Sequence, residues 1–383
     1  KSMKINRRDF LKTTAATSLF FVGFGLPSFA SQNKKNLVVI MLEGGMDGLC
    51  AVPIRGDKNF KKLRSKINLK KTLKLTSDFD LHPALENFKA CWDQNEASVF
   101  HATSIPYQGR SHFEGQDMMM SGGTVPYQEK TGWLGRGMNL AGLKGNGLAM
   151  SLPMPLLIRG VPLNNNYFPV RSSLPQKRLL NIIEEEFNQY SENDLSETLS
   201  IIKNRDLNYF PGTNASTLAL EAGKLLSDPN GPRVAVFKVD HFDTHAAQGG
   251  ENGAHADSLK EYDQILKALK ASLGPTFKDT LILTLTEFGR TVKQNGGNGT
   301  EHGYGTAVLM AGGLIKKSKV HGDWPGLKNK ELFQGRDLNS TMDARSIYAS
   351  AMSTVFDLDF KRIQKDVFFG DKLENLSDKL FKA

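Results

Sequence analysis

The sequence predicts an α/β fold, a doubly wound and mostly parallel sheet with helices on both faces, and three observations predict it. Four apolar, β-branched runs each stop at a loop that carries polar groups; helical patterns lie between those runs; and the bulk composition is that of a globular chain. Of 383 residues, 39% are hydrophobic and 23% charged, which excludes a disordered, collagen-like or coiled-coil protein. At about 150 residues per domain the length accommodates two domains, or one large α/β domain with an insertion. The second is the expectation here.

The first run, 36–42, is continuously apolar and stops at Glu43-Gly44-Gly45-Met46-Asp47-Gly48. A β-branched run ending at glycines and a carboxylate reads as a buried parallel strand whose C-terminal end opens into a loop. The same grammar returns at 97–102, at 233–239 before Asp240-His241-Phe242-Asp243-Thr244-His245, and at 280–286 before Glu287. Helical patterns cover 82–93, the stretch from Ser111, 255–273 and 340–356. Alternation of strand and helix makes the sheet parallel and doubly wound, and open α/β sheets collect their sites at the carboxyl ends of the strands. The stretch 162–232 is polar and lacks a strong apolar strand; it reads as an insertion or lid with helices near 176–190 and 217–227.

Lys and Arg outnumber Asp and Glu by 49 to 40. Part of that excess lies in the first thirty residues and much of the rest in 58–74, where Lys58, Lys61, Lys62, Arg64, Lys66, Lys70, Lys71 and Lys74 meet no acid. A nucleic-acid groove interleaves such charge with aromatics, and only Phe60 is present, so nucleic acid is not expected as a partner. The run reads as a solvated face, or as a surface for phosphate-rich lipid or glycan. At the N-terminus, Arg7-Arg8-Asp9-Phe10-Leu11-Lys12 leads into a mildly apolar stretch that ends at Ser28-Phe29-Ala30. It resembles a twin-arginine export signal, with cleavage expected after Ala30 and the periplasm or cell envelope as destination. Gly23, Gly25 and Pro27 interrupt it, so a membrane anchor is not expected, and 31–383 is left as the mature domain. The two cysteines, Cys50 and Cys91, rule out a disulfide framework and leave one bridge or two buried thiols.

The chemistry rests on where carboxylates and histidines fall. Asp243 and His245 follow one strand, Glu287 follows another, and Glu301-His302 closes a glycine-rich loop. Acids and imidazoles from separate strand ends form a mixed O/N set suited to one or two divalent cations of zinc, manganese or iron type. In Gly109-Arg110-Ser111-His112-Phe113-Glu114, the serine reads as an N-cap. It also sits where a helix N-terminus and a metal would stabilise its alkoxide while Arg110 holds an anion. His82 reads as a helix cap, His101 as a core histidine, His255 and His321 as surface or loop residues.

The order of these elements resembles the alkaline phosphatase and sulfatase-like superfamily. More closely, Gly44-Gly45-Met46-Asp47-Gly48-Leu49, Leu81-His82-Pro83-Ala84, Arg110-Ser111-His112-Phe113, Phe242-Asp243-Thr244-His245, Phe288-Gly289-Arg290-Thr291 and Gly322-Asp323-Trp324-Pro325-Gly326-Leu327 are similar to the bacterial family catalogued as domain of unknown function 1501. The resemblance runs over about 36–370 and implies an alkaline-phosphatase-like sheet. It implies metal ligands at Asp47 (or Glu43), Asp243, His245, Glu287 and His302, a nucleophile at Ser111, and Arg110, Arg290 and His112 toward an anionic ester. Where the superfamily usually has an Asp-His dipeptide this chain has Glu287-Phe288, so one histidine of a two-metal site is missing. Either His241 or His112 supplies it, or one metal binds, or catalysis has been lost. The implied function is an exported metal-dependent hydrolase or transferase of phosphate or sulfate esters. The alternative is a catalytically degenerate member that serves as an envelope binding or assembly protein with a second exported partner.

Overall fold

A computed structural model describes residues 34–167, 181 and 214–382. The export signal and most of the candidate insertion, including the helix near 176–190, lie outside the described residues.

In chain order the strands are β1 (Asn36–Leu42), β2 (Leu73–Lys74), β3 (Asp80–Leu81), β4 (Ala97–Ser104), β5 (Gly147–Met150), β6 (Asn165–Tyr167), β7 (Val234–Val239), β8 (Thr280–Leu285), β9 (Thr306–Ala311), β10 (Val320–His321) and β11 (Met342–Asp343). The main sheet runs β10-β4-β9-β8-β1-β7-β5-β6, with β11 also pairing β4. β1 lies parallel between β7 and β8. β9 is antiparallel to both of its neighbours, β4 and β8. The sheet is thus mostly parallel, and β9 starts at the edge where β1, β4, β7 and β8 end. That reversal brings the loop before β9 to the carboxyl edge.

The pleat of β1 separates two cores, as a period of two requires. Leu37, Val39 and Met41 face one hydrophobic layer; Val38, Ile40 and Leu42 face the other. Each such side chain, fully buried, contributes roughly 1.5–3 kcal/mol, so β1 fixes both layers at once. Among the described residues as far as Phe356, the α-helices in chain order are α1 (Gly48–Ala51), α2 (Lys58–Leu63), α3 (Glu86–Asp93), α4 (His112–Ser121), α5 (Trp133–Leu140), α6 (Ala215–Ser227), α7 (Ala254–Leu273) and α8 (Ala344–Phe356). α4, α5 and α8 cover the first face, and α3, α6 and α7 the second. α6, which begins near the start expected for the second helix of the candidate insertion, buries Leu218, Ala219, Ala222 and Leu226 in that second core.

Boundaries moved where caps decide them. α3 begins at Glu86 and not at residue 82, because His82 Nδ1 accepts the Ala84 N–H and its Nε2 side holds the Gly250 carbonyl at 3.0 Å. α8 begins after Asp343, which accepts the Arg345 N–H and pairs in β11. Both cysteines are free and buried. His101 is a core histidine, bonded to the Val52 carbonyl at 3.0 Å. The expectation for His255 and His321 is corrected. His255 is fully buried and accepts the Asp47 N–H, and His321 stacks on Phe100. Burial pushes their imidazoles down to about 3 and about 4.

Candidate active site

Three loops meet at the carboxyl edge. The first follows β1, where Gly44 and Gly45 have φ of +111° and +75°. A Cβ on Gly44 would lie 2.4 Å from the Asp243 nitrogen, so only glycine lets the Asp243 backbone pack there. The second loop carries Phe242 to His245. The third is a hairpin between β8 and β9, in which Arg290 bridges His302 and Gly303 N–H donates to Gly289 O at 2.8 Å. Asn295 closes its tip by accepting the N–H groups of Gly297 and Gly299.

Asp243 sits at the centre. Its Oδ1 lies 2.9 Å from His245 Nε2, 3.1 Å from His302 Nε2 and 2.8 Å from Arg290 Nη1. Its Oδ2 lies 3.3 Å from His112 Nε2. Burial alone would raise the Asp243 pKa, but the hydrogen bond and charge of Arg290 hold it below the usual carboxylate range. His112, Asp243 and His302 form a group able to hold a metal ion.

The far side of each imidazole shows how it is oriented. His112 Nδ1 meets Glu287 Oε1 at 2.8 Å, His245 Nδ1 meets Glu301 Oε2 at 2.7 Å, and His302 Nδ1 meets the Arg110 carbonyl at 2.7 Å. Carboxylate and carbonyl oxygens only accept, so each outer partner favours a proton on Nδ1; the Asp243 oxygens on the inner side are acceptors too, and a cation bound there would settle the proton on Nδ1. Every Nε2 faces an Asp243 oxygen. The Nε2 atoms of His245 and His302 are 3.0 Å apart, and His112 Nε2 is buried with no hydrogen bond. With the protons on Nδ1, these nitrogens and the Asp243 oxygens would direct lone pairs at one another, a repulsion that a cation among them would relieve. Imidazoles held at Nδ1 by an outer acceptor, with Nε2 turned toward a shared carboxylate, are the arrangement of metal-ligating histidines.

The remaining predicted residues fall around this cluster. Ser111 is the N-cap of α4; its Oγ accepts the Glu114 N–H at 3.5 Å and its own N–H donates to Tyr107 Oη. Arg110 is half exposed, reaching Gln334 Oε1 and Asp337. Glu287 does not join as a ligand: it is 0% exposed and accepts from Gly44 N–H, His112 Nδ1 and Gln116 Nε2. It therefore orients His112 and raises that ring's pKa. Asp47 also stays out, since Arg64, Gln248 and the Cys50 N–H occupy its carboxylate. Glu43 pairs with Lys238 at 3.6 Å, and burial raises its pKa. Arg290, expected on the substrate, is 1% exposed; it braces Asp243, Thr300 and the Gly44 carbonyl. His241, the other candidate for the missing histidine, is exposed with φ +72°. Phe288 packs its ring on His112 and His302, closing that side with a group that offers no ligand. Three residues went unforeseen in their roles: Glu301 as the outer partner of His245, Gln248 as a partner of Asp47 and Thr300, and Arg64, whose only sequence signal is that it is the one arginine among seven lysines.

No curated protein sequence matches the chain. Among solved structures, the chain is similar to a protein in the alkaline phosphatase superfamily from Vibrio parahaemolyticus, at 12% identity over 97% of this chain and 80% of that one, with a TM-score of 0.42. It is similar to a sulfatase from Pseudoalteromonas at 13% identity, 92% and 71% coverage and a TM-score of 0.40. A murine ectonucleotide pyrophosphatase/phosphodiesterase in complex with AMP matches at 10% identity, 90% and 100% coverage and a TM-score of 0.42. Residues 221–364, which carry Asp243, His245, Glu287, Arg290 and His302, match the model of the family described as Protein of unknown function (DUF1501), the family that the motifs resemble.

Proposed function

We propose that the chain is a metal-dependent hydrolase or transferase of phosphate or sulfate esters, with Asp243, His245, His302 and His112 as the ligands of one divalent cation. The observation that carries this is the convergence of three imidazole Nε2 atoms on one carboxylate while each Nδ1 is held by an outer oxygen. A donor set of nitrogens and one carboxylate suits zinc, manganese or iron. A cation bound there supplies Lewis acidity toward an anionic ester oxygen.

The chain's own residues frame the attack. Ser111 lies between two residues that touch the cluster, Arg110 through its carbonyl and His112 through its ring, which keeps its backbone beside the cluster. The N-terminus of α4 favours an anion beside it. In this reading Ser111 Oγ gives its proton to solvent and bonds to phosphorus or sulfur as the bond to the ester oxygen breaks; the alcohol takes a proton from solvent, and water then cleaves the seryl ester, restoring the hydroxyl and releasing the acid. Half-exposed Arg110, which also reaches Gln334 and Asp337, is the guanidinium offered to nonbridging oxygens; Arg290 shapes Asp243. The Arg7-Arg8 pattern assigns this chemistry to the periplasm or cell envelope. No helix of the described residues is long and apolar enough to cross a membrane.

The test is metal analysis of purified protein together with aryl phosphate and aryl sulfate assays. One equivalent of metal is expected, with turnover that Ser111→Ala lowers at least about 10³-fold, as loss of a nucleophile does, at unchanged metal content. Metal-free protein silent on both substrates would oppose the reading. A second measurement concerns Glu287. Glu287→Gln removes the charge that holds His112 Nδ1–H, and competition against a chelator is expected to show metal affinity down about 10–100-fold. Unchanged affinity in a folded variant would leave Glu287 a purely structural acid.

A further inference from the structure

A cleft of about 710 Å³ opens beside the basic segment, floored by Ile54, Phe60 and Leu69 and rimmed by Lys61, Lys70 and Lys71. All seven lysines of 58–74 are exposed, and none of their ammonium groups has an ion-pair partner among the described residues. Of the acids beside the segment, Glu251 is held by the backbone N–H groups of Lys70 and Lys71, Asp80 by Arg55 and Thr72, and Asp57 caps α2. The rim therefore keeps its positive charge.

The segment is fixed against the active-site hairpin. Arg64 donates to the carbonyls of Thr291 and Val292, Lys66 N–H donates to Gln294 Oε1, and Gln294 N–H to the Leu63 carbonyl. The same hairpin carries Arg290 and His302. A rigid strip of cations thus runs alongside the loop that presents the candidate site.

We propose that this cleft binds a polyanionic polysaccharide, a chain whose sulfate or phosphate groups lie along the lysines while one ester enters the site; the substrate half of this claim rests on the function proposed above. The shape selects among anionic partners. Ile54, Phe60 and Leu69 are recessed, at 6%, 5% and 9% exposure, so they meet the faces of a narrow chain and do not project into a bilayer as an interfacial anchor would. Phe60 is turned inward, so no aromatic platform is offered to a nucleobase. Unpaired charge of one sign along a concave wall concentrates a flexible polyanion.

The probe is dextran sulfate, with uncharged dextran as control, titrated into the whole protein by calorimetry at several salt concentrations. Binding to dextran sulfate alone is expected. In the triple variant Lys61→Gln, Lys70→Gln, Lys71→Gln it should weaken at least tenfold, and the salt slope should fall by about two, at roughly 0.7 per lost contact. A triple Lys→Arg variant should keep it, as should Lys361→Gln, Lys365→Gln, Lys372→Gln, which removes equal charge from exposed positions elsewhere. Ser111→Ala should bind like the parent, so a failed catalytic reading leaves this measurement intact. Parent-like binding in the cleft variant, equal loss in the distant variant, or tighter binding to phosphatidylglycerol vesicles than to dextran sulfate would each overturn the proposal.

Discussion

Asp243→Ala is expected to leave the purified protein without its metal and without turnover, a larger loss than any other single change in the site. The reason is geometric. Asp243 is the point on which three Nε2 atoms and the buried Arg290 guanidinium converge, so its removal takes away a ligand and the anion that balances Arg290. Arg290 keeps its bonds to Thr300 and the Gly44 carbonyl, which should let the variant fold while leaving a positive charge facing the cation's place. Loss of an outer partner typically costs 10–100-fold in metal affinity; loss of this carboxylate should exceed that. Asp243→Asn should resemble the alanine variant, because an amide neither ligates strongly nor neutralises Arg290. Metal content near that of the parent in Asp243→Ala, read by elemental analysis, would remove the carboxylate from the ligand set and with it the centre of the proposed site.

The reach of the sequence can be judged from particular residues. The strands β1, β4, β7 and β8 were legible because each is a continuous apolar run that stops at glycine or at polar residues. Asp243, His245 and His302 were legible as candidates for the same reason: they lie just past strand ends or in the loop that returns to them. β9 was not singled out, though Thr306–Ala311 is apolar throughout, and nothing local marks it as antiparallel. Its direction is what delivers His302. The roles of Glu287, Asp47 and Glu43 were undetermined because a strand-end acid can turn toward the cleft or away from it. The choice is made by turns such as that at Gly44 and by partners remote in sequence. Glu287 meets Gly44 and His112, Asp47 meets Arg64 and Gln248, and Glu43 meets Lys238. A helix cap was visible at Ser111, since capping is a local rule. The burial of His255 was not, since it follows from α7 lying against the Asp47 turn.

Arg64→Met should destabilise the fold by about 3–5 kcal/mol at neutral pH, the usual consequence of removing one partner from a buried ion pair. Both side chains are 1% exposed and their charged atoms are 2.5 Å apart. Burial alone would raise the Asp47 pKa, but Arg64, with smaller help from His255 and Gln248, holds it below the ordinary value. A lowered folded-state pKa stabilises the native protein above the unfolded carboxylate value, near 3.9, and that contribution is lost as pH falls through the folded value. In Arg64→Met the carboxylate remains buried without its cation, so its folded pKa rises above the unfolded one. The sign then reverses: the variant carries no penalty while both states are protonated, and the full penalty once pH exceeds the folded value. Urea titrations should therefore show a gap between parent and variant that is wide at pH 7 and narrows toward pH 4.5. Asp47→Asn combined with Arg64→Met should recover part of the loss, because a neutral amide can still meet Gln248 and the Cys50 N–H. It should not recover all of it, since the carbonyls of Thr291 and Val292 also lose their donor. Those two carbonyls belong to the hairpin that ends at His302, so the variant should bind its metal more weakly as well as unfold more easily. A loss under about 1 kcal/mol, or a gap that stays constant with pH, would show that Asp47 finds another cation when Arg64 is gone.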